Sequence, residues 1–241
     1  MERKQSELDP KFNKADLDES LESDQLKDHA LQLYRESVME CGMHRFKAYL
    51  LHSSGQKQDI NFTHEFREYI RGQNFSYLKT HSNLIFKLLK HFPGFLMFNN
   101  NDLKIIMNEH FFSLFALRIL DMYRDNEFYL MLDDCVQVDK KLFAFLYDEK
   151  SRDLMFELLS NLSSLNLTEI EIGLMFPFIL SSIYKNLEKK ELMKKVFQYY
   201  SDVLFGEFHL NKRGVGFMEK FTYIVCLGPK VNQALMDVDL T

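Results

Sequence analysis

The segment from Leu103 to Met122 constrains the fold more than any other part of the sequence. It is apolar over most of its length, and a run of helix-capping residues, Asn99 to Asp102, comes directly before it. A helix this apolar is stable only when it is buried on nearly all sides. The sequence therefore predicts a helix that runs through the interior of the protein. Its main polar interruptions are Lys104, Asn108, Glu109, His110, Arg118 and Asp121.

Composition indicates that other helices surround this segment. The chain has 241 residues, 46% of them hydrophobic, which is enough to fill a sizeable core as one large domain or two small ones. It contains only 9 Gly and 4 Pro. Since these residues break regular structure, their scarcity favours long elements. The spacing of the apolar residues at three and four indicates that most of these elements are helices.

Several functional classes lack support in the sequence. The formal charge of −5 supplies no basic face for nucleic acid. There is no GxSxG, no HExxH and no phosphate-binding glycine loop, so we expect no enzyme. Cys41, Cys135 and Cys226 are widely spaced, without a disulfide pattern, which is typical of a reducing compartment. With no signal peptide and no membrane-spanning stretch in sight, we expect a soluble intracellular protein.

The apolar periodicity divides the chain into a tail and one helical domain. Residues 1–25 are polar and predict a flexible, hinge-like tail, whereas residues 26–241 form the domain. Residues 128–132 predict a short strand at the edge of a small hairpin. Helices are predicted from Leu26 to Leu51, from Phe62 to the turn at Pro93-Gly94, over 140–147, 151–165 and 188–208, and from Phe217 onward.

Two features locate helix ends and kinks in the second half. Thr168 and Glu171 have the spacing of a capping box, which predicts the start of an apolar helix that reaches Ile183. Pro177 lies inside that helix and should kink it. Gly228-Pro229 should break or bend the last helix before its end.

The order of these motifs resembles the ligand-binding domain of nuclear receptors. Lys90, Pro93-Gly-Phe95, Asp102 and Arg118 stand at the positions of the family signature, which runs Phe-Ala-Lys, a Pro-Gly-Phe turn, Asp-Gln, Leu-Leu-Lys and an Arg. The block from Leu162 to Leu174 is similar to a second family pattern. Within the family the sequence looks most like the retinoid-related orphan receptors and the Rev-erb group. The resemblance covers roughly residues 26 to 235 and includes Tyr34-Arg-Glu-Ser37.

The resemblance implies a fold and a function. The fold would be all-α, a three-layer antiparallel helical sandwich of about ten to eleven helices with a small β-hairpin. The function would be that of a nuclear transcription factor domain that recruits coactivator or corepressor peptides. It would form receptor homo- or heterodimers through the C-terminal helix, contact DNA only through a separate zinc-module domain, and have no membrane partner.

The resemblance also implies a ligand pocket. An apolar cavity of this type suits a sterol or a fatty-acid-like molecule. Arg118 would lie near the ligand's polar end, or else serve as a structural ion pair for which Asp121 is the nearest candidate. The abundance of Phe, 23 in all, favours equally an orphan receptor whose pocket the protein fills itself. By matching positions the pocket is lined by Leu78, His81, Phe112, Phe115, Arg118, Ile119, Met122, Tyr129, Met131, Phe143 and Phe156.

A coregulator groove is implied at Lys90, Ile105 and Asn108. The chain departs from the family at Leu103 and Asn108, which replace a Gln and a Lys. The activation helix of the family is approached only by residues 234–238, which we expect to belong to the preceding helix. Without that helix, the groove would favour longer, corepressor-type helices. Thr168, Glu171 and Arg213 are expected to form a structural bridge typical of the family.

Two alternatives remain open at this point. A haem-sensing repressor domain of the same fold would use Cys41 or His44 and a second histidine late in the chain, but no histidine follows His209, so haem fits less well. A constitutive dimerisation or adaptor module with a filled core is the other alternative.

Overall fold

The computed structural model describes residues 23–54, 61–182 and 185–238. Most of the predicted tail, the predicted end of one helix at Ile183 and residues 239–241 lie outside these ranges. Among the described residues, no helix combines the length and the apolar character needed to cross a membrane.

The described residues form an all-α fold with one small antiparallel sheet. Two 3-10 turns, Phe95–Met97 and Leu120–Met122, lie between helices. The strands are β1 (Tyr123–Arg124) and β2 (Glu127–Phe128). The helices are α1 (Ser23–Ser37), α2 (Cys41–Ser53), α3 (His64–His91), α4 (Asn100–Ile119), α5 (Lys140–Leu146), α6 (Glu149–Ser164), α7 (Glu169–Ser181), α8 (Lys190–Leu210) and α9 (Val215–Met236).

Local capping signals explain where several helices begin. The Asn99 side chain accepts a hydrogen bond from the Asp102 N–H at the start of α4. Thr168 and Glu171 form the predicted capping box at the start of α7. Asp139 and Asp148 cap α5 and α6 in the same way. Each of these bonds satisfies a backbone donor that has no partner within its helix.

The predicted single helix from Leu26 to Leu51 is wrong, because the chain turns between α1 and α2. The Ser37 carbonyl accepts a hydrogen bond from Arg118 Nε (2.9 Å), and the Ser37 hydroxyl donates to the Tyr34 carbonyl (2.7 Å). The Cys41 N–H donates to Val38 instead of Ser37. A side chain from α4 therefore takes the carbonyl that a continuous helix would use.

Two other predictions need correction. Residues 128–132 do not form one strand: only Phe128 pairs, with Tyr123, across a turn in which Asp125 and Asn126 both have positive φ, as a tight hairpin requires. Met131 makes only an isolated bridge with Gln137. Gly228-Pro229 does not break the last helix, since α9 continues through it to Met236.

Helix α4 lies in the interior, as predicted. All residues from Phe112 to Ile119 are buried, and α4 packs against α3, α6, α7 and α9. Helix α7 in turn packs against α1 and α8. The approach of α1 to α7 depends on Gly173, because a Cβ there would lie 2.7 Å from the Ala30 carbonyl oxygen. The predicted interior helix therefore sets the position of the remaining helices.

Candidate functional site

Arg118 lies at the end of α4 with its side chain fully buried. Its Nε donates to the Ser37 carbonyl and its Nη2 pairs with the Glu40 carboxylate, while Nη1 has no hydrogen-bond partner within the described residues. The guanidinium lies 5.6 Å from the centre of the Tyr77 ring. Burial lowers the pKa of Arg118 to about 10, which still leaves the group charged at neutral pH. A buried cation with one unpaired N–H donor is unusual in a folded protein. This end of α4 is therefore a candidate functional site.

The predicted ion pair between Arg118 and Asp121 does not form. Helix α4 ends at Ile119, so Asp121 belongs to the following 3-10 turn and does not lie one helical turn from Arg118. Asp121 instead pairs with Arg45 on α2 at 3.0 Å. The partner of Arg118 comes from the turn between α1 and α2, which sequence spacing alone does not indicate.

Aromatic rings fill the interior where the ligand pocket was predicted. His81 contacts Phe111 and Phe115, with ring centroids 4.8 and 4.9 Å apart, and Phe112 lies beside Phe115 at 6.2 Å. The contacts continue from Phe112 to Tyr147, then to Phe143 and Phe156 at 6.3, 4.8 and 5.8 Å. We call these side chains the aromatic column: His81, Phe111, Phe112, Phe115, Phe143, Tyr147 and Phe156. Because neighbouring rings touch, the protein's own side chains occupy this space.

The structure brings most of the predicted pocket residues together and separates two of them. Leu78, Ile119 and Met122 are buried in the same core as the column. Tyr129 and Met131 instead pack with Ala48 and Leu51 in a small separate cluster beneath α2. The hairpin is short, and the chain after Phe128 turns toward α2, which explains the separation.

Sequence reasoning missed two tyrosines of this region. Tyr147 was not among the predicted pocket residues. Its ring lies between those of Phe112 and Phe143, and its hydroxyl accepts a hydrogen bond from Asn74 at 2.9 Å. Tyr77 stacks edge-on against Phe115, and its hydroxyl is buried without a partner in the described residues. Tyr147 lies four residues after Phe143, so helical spacing could have indicated it.

A recess opens beside Tyr77, between α2, α3 and the loop after the hairpin. Its volume is about 280 Å³, and polar side chains dominate its wall on α3. It therefore brings solvent close to the Tyr77 ring that faces Arg118. The lining residues are His44, Lys47, Gln73, Ser76, Tyr77, Thr80, Met131, Leu132 and Asp133.

The residues from which a coregulator groove was predicted lie at the end of α3 and on α4. Lys90 is exposed in the last turn of α3, with its Nζ 4.1 Å from the centre of the half-exposed Phe86 ring. Ile105 is half-buried and Asn108 is exposed on α4. Of the predicted residues, Lys90 is therefore an exposed cation, Ile105 a half-buried apolar side chain and Asn108 an exposed amide, while Phe86, which was not predicted, lies beside Lys90.

Asn232 of α9 binds the backbone of α4 at Asn108 and Phe112. Its Oδ1 accepts from the Phe112 N–H at 2.9 Å, and its Nδ2 donates to the Asn108 carbonyl at 2.8 Å. In an uninterrupted helix those two backbone groups bond to each other. One buried amide therefore links α9 to Asn108, one of the residues predicted for the coregulator groove.

The predicted bridge between Glu171 and Arg213 forms. The Glu171 carboxylate is fully buried and accepts bonds from Arg213, from the Thr168 N–H and from Asn211. Burial acts to raise the pKa of Glu171, but the bonds from Arg213, Thr168 and Asn211 outweigh it and leave the pKa below its usual value. This site is fully satisfied and has the character of a structural anchor.

The residues suggested for haem do not fit that role. Burial raises the pKa of the Cys41 thiol to about 12, and its Sγ donates to the Arg118 carbonyl at 3.6 Å. His44 accepts a hydrogen bond from the Met131 N–H. A haem ligand needs a thiolate or a free imidazole nitrogen. Separately, no group of three or more His, Cys, Asp or Glu side chains that could hold a metal ion is found within the described residues.

Comparison with known proteins gives no assignment. No protein-family model matches the chain, and no curated protein matches it significantly. The functional conclusion therefore depends on the sequence motifs and on the geometry described above.

Proposed function

We propose that this chain is the ligand-binding domain of a nuclear receptor that acts as an orphan, with an interior filled by its own side chains. Its output would be the recruitment of a coregulator helix at the groove around Lys90, Ile105 and Asn108. We place the domain in the three-layer sandwich of that family and in the nucleus. DNA contact would belong to a separate zinc-module domain.

The observation that carries this proposal is the burial of α4. In a layered helical domain one helix must be covered on opposite sides, and α4 is buried continuously from Phe112 to Ile119 while it packs against α3, α6, α7 and α9. The signature residues Lys90, Asp102 and Arg118 flank or lie on this helix. The aromatic column supports the orphan form, because touching rings leave little room for a ligand.

Peptide binding tests the coregulator role. Fluorescence anisotropy would compare a labelled corepressor-type helix with a Leu-x-x-Leu-Leu peptide, and we expect the longer helix to bind more tightly. Lys90→Ala should weaken binding at least tenfold, because the lysine can no longer bind the carbonyl end of the peptide helix. Lys79→Ala, an exposed lysine three turns earlier on α3, is the matched control and should bind like the wild type.

Two outcomes would contradict the proposal. If neither peptide binds at concentrations up to 100-fold above a typical micromolar Kd, the coregulator role is wrong. If a peptide binds and Lys90→Ala leaves its affinity unchanged, the groove lies elsewhere.

A second candidate function is binding of a fatty-acid-like ligand near Arg118. Arg118 Nη1 and the Tyr77 hydroxyl are both buried without partners in the described residues, and the 280 Å³ recess adjoins Tyr77. A carboxylate could accept from both donors. Native mass spectrometry of the purified protein would detect the ligand as added mass that Arg118→Met abolishes and Arg124→Met, at an exposed arginine, retains. A single unliganded mass would leave the orphan form as the better description.

A further inference from the structure

The polar side chains of helix α2 are bonded to the rest of the protein, and apolar side chains form its exposed face, unlike in an ordinary surface helix. Arg45 pairs with Asp121 at 3.0 Å and Lys47 with Asp134 at 2.6 Å. His44 and His52 are hydrogen-bonded to Met131 and Gln137. These four polar side chains of the helix therefore each have a partner elsewhere in the protein.

The outward face of α2 is apolar and widely exposed. Met39 lies just before the helix and is 78% exposed, and Tyr49 is 67% exposed. Met43, Phe46 and Leu50 are each at least half exposed. We call these five side chains the α2 seam. Because the opposite stripe, Cys41, Ala48 and Leu51, is buried, α2 is apolar on two faces, and such a helix is ordinarily covered on both.

We propose that the α2 seam binds a second copy of this chain, with the two α2 helices antiparallel. Met39, Met43, Phe46 and Leu50 follow one another at intervals of four, three and four, which is the spacing of a helix that packs along another helix. In an antiparallel pair with two-fold symmetry, Met43 lies opposite Phe46 of the second copy, and Met39 lies opposite Leu50. Each contact is then repeated by the symmetry, as an isologous interface requires.

Area and charge favour a second copy over other occupants. Five side chains of this size and exposure present roughly 600 Å² per copy, so complete burial of both seams would remove at most about 1,200 Å² from solvent, the lower end of specific interfaces. The cations beside the seam are already neutralised by Asp121 and Asp134, so two identical helices can approach without repulsion. The same neutralisation leaves little attraction for an anionic membrane, which a surface-bound helix normally uses.

The antiparallel register of the two α2 helices also predicts a polar contact between the two copies. It places Tyr49 opposite Glu40 of the second copy, and Glu40 retains an exposed carboxylate edge while it pairs with Arg118. Gly42 has open space where a Cβ would stand, so it leaves room for the close approach of the second helix.

Sedimentation velocity between 1 and 100 µM tests the association. We expect a monomer–dimer equilibrium with a micromolar Kd and at least a hundredfold weaker association for Phe46→Glu. Leu210→Glu, at an equally exposed leucine on α8, is the matched control and should dimerise like the wild type. Far-UV circular dichroism should be unchanged in both variants because neither side chain is part of the core, and thermal melting should be unchanged at a concentration well below the Kd, where the wild type is also monomeric.

Cysteine crosslinking tests the register, in a background with the exposed Cys135 and Cys226 replaced by Ser. A mixture of Met39→Cys and Leu50→Cys chains should form a disulfide-linked dimer on oxidation. Either variant alone should not, because the two identical cysteines would be about 16 Å apart along the helices. A parallel pair would instead link Met39→Cys to itself and would overturn the register.

The proposal does not depend on the proposed function and fails separately from it. A chain that stays monomeric at 100 µM, or a dimer that survives Phe46→Glu, would overturn it. A monomer that floats with neutral phosphatidylcholine vesicles, and loses this property in Phe46→Glu, would show that the seam binds a lipid surface instead.

Discussion

Two arginine–glutamate pairs in this protein differ in which partner is completely buried. In one, Arg213 is half-buried and the Glu171 carboxylate is completely buried, with every oxygen hydrogen-bonded. In the other, Arg118 is completely buried, Glu40 is partly exposed, and one guanidinium nitrogen has no partner in the described residues. A buried pair whose carboxylate oxygens are all hydrogen-bonded has the character of a structural ion pair. A buried cation with an unpaired N–H donor instead has the character of a binding site.

Removal of Arg213 should have the largest effect. Arg213→Ala leaves the Glu171 carboxylate buried without its counter-ion, and we expect a loss of about 3–5 kcal/mol in the free energy of unfolding. Urea denaturation followed by circular dichroism measures this loss. A loss smaller than that of Arg118→Met would reverse the comparison between the two pairs.

The contribution of the Glu171 carboxylate to the free energy of unfolding should be lost at acidic pH. Its pKa is lowered by folding, so its contribution is present above the unfolded value of about 4.3 and is lost as the pH falls below it. Glu171→Gln removes the charge and should cost about 2 kcal/mol at pH 7, where an ionic hydrogen bond is lost. Urea titrations measure the difference in the free energy of unfolding between the wild type and Glu171→Gln, and this difference should be smaller at pH 3 than at pH 7. A constant difference would mean that the carboxylate's charge is irrelevant.

Replacement of Arg118 should cost less. Arg118→Met keeps much of the side-chain volume, removes an incompletely bonded buried cation and leaves Glu40 partly exposed to water. We expect a loss of about 1 kcal/mol, because the cost of burying the charge offsets most of its interactions. Thermal denaturation at pH 7 measures it, and a loss as large as that of Arg213→Ala would make Arg118 a structural anchor as well.

The smallest effect should come from an exposed pair between α1 and α7. Arg35 binds Glu169 at 2.6 Å, but both side chains are more than half exposed. Arg35→Ala should therefore change the free energy of unfolding by no more than a few tenths of a kcal/mol in the same urea titration. Burial, and not the ion-pair distance, is then what separates the three pairs.

The features that sequence predicts best are those whose signals lie within one segment. Asn99 begins α4 and Thr168 begins α7, since a capping side chain bonds to a donor two or three residues away. The interior position of α4 follows from its composition. The break between α1 and α2 could not be predicted in this way, because it depends on Arg118, 81 residues further along the chain.

The sequence predicted which residues belong to the candidate site better than it predicted the contacts between them. Most of the predicted pocket residues are buried together, but whether they surround a ligand depends on ring packing, which the sequence leaves open. Asp121 looked like the partner of Arg118 because helical spacing was assumed past Ile119. The unpaired Tyr77 hydroxyl has no local sequence signal, and the exposure of the apolar face of α2 depends on ion pairs with Asp121 and Asp134, which are distant in the sequence.

The amide of Asn232 has a mechanical consequence. Its Oδ1 accepts from the Phe112 N–H and its Nδ2 donates to the Asn108 carbonyl, so a pull on the end of α9 loads the backbone of α4 directly through one side chain. Helices α9 and α4 would then yield together under force, and tension applied at the end of α9 would be transmitted to the backbone of α4 at Asn108.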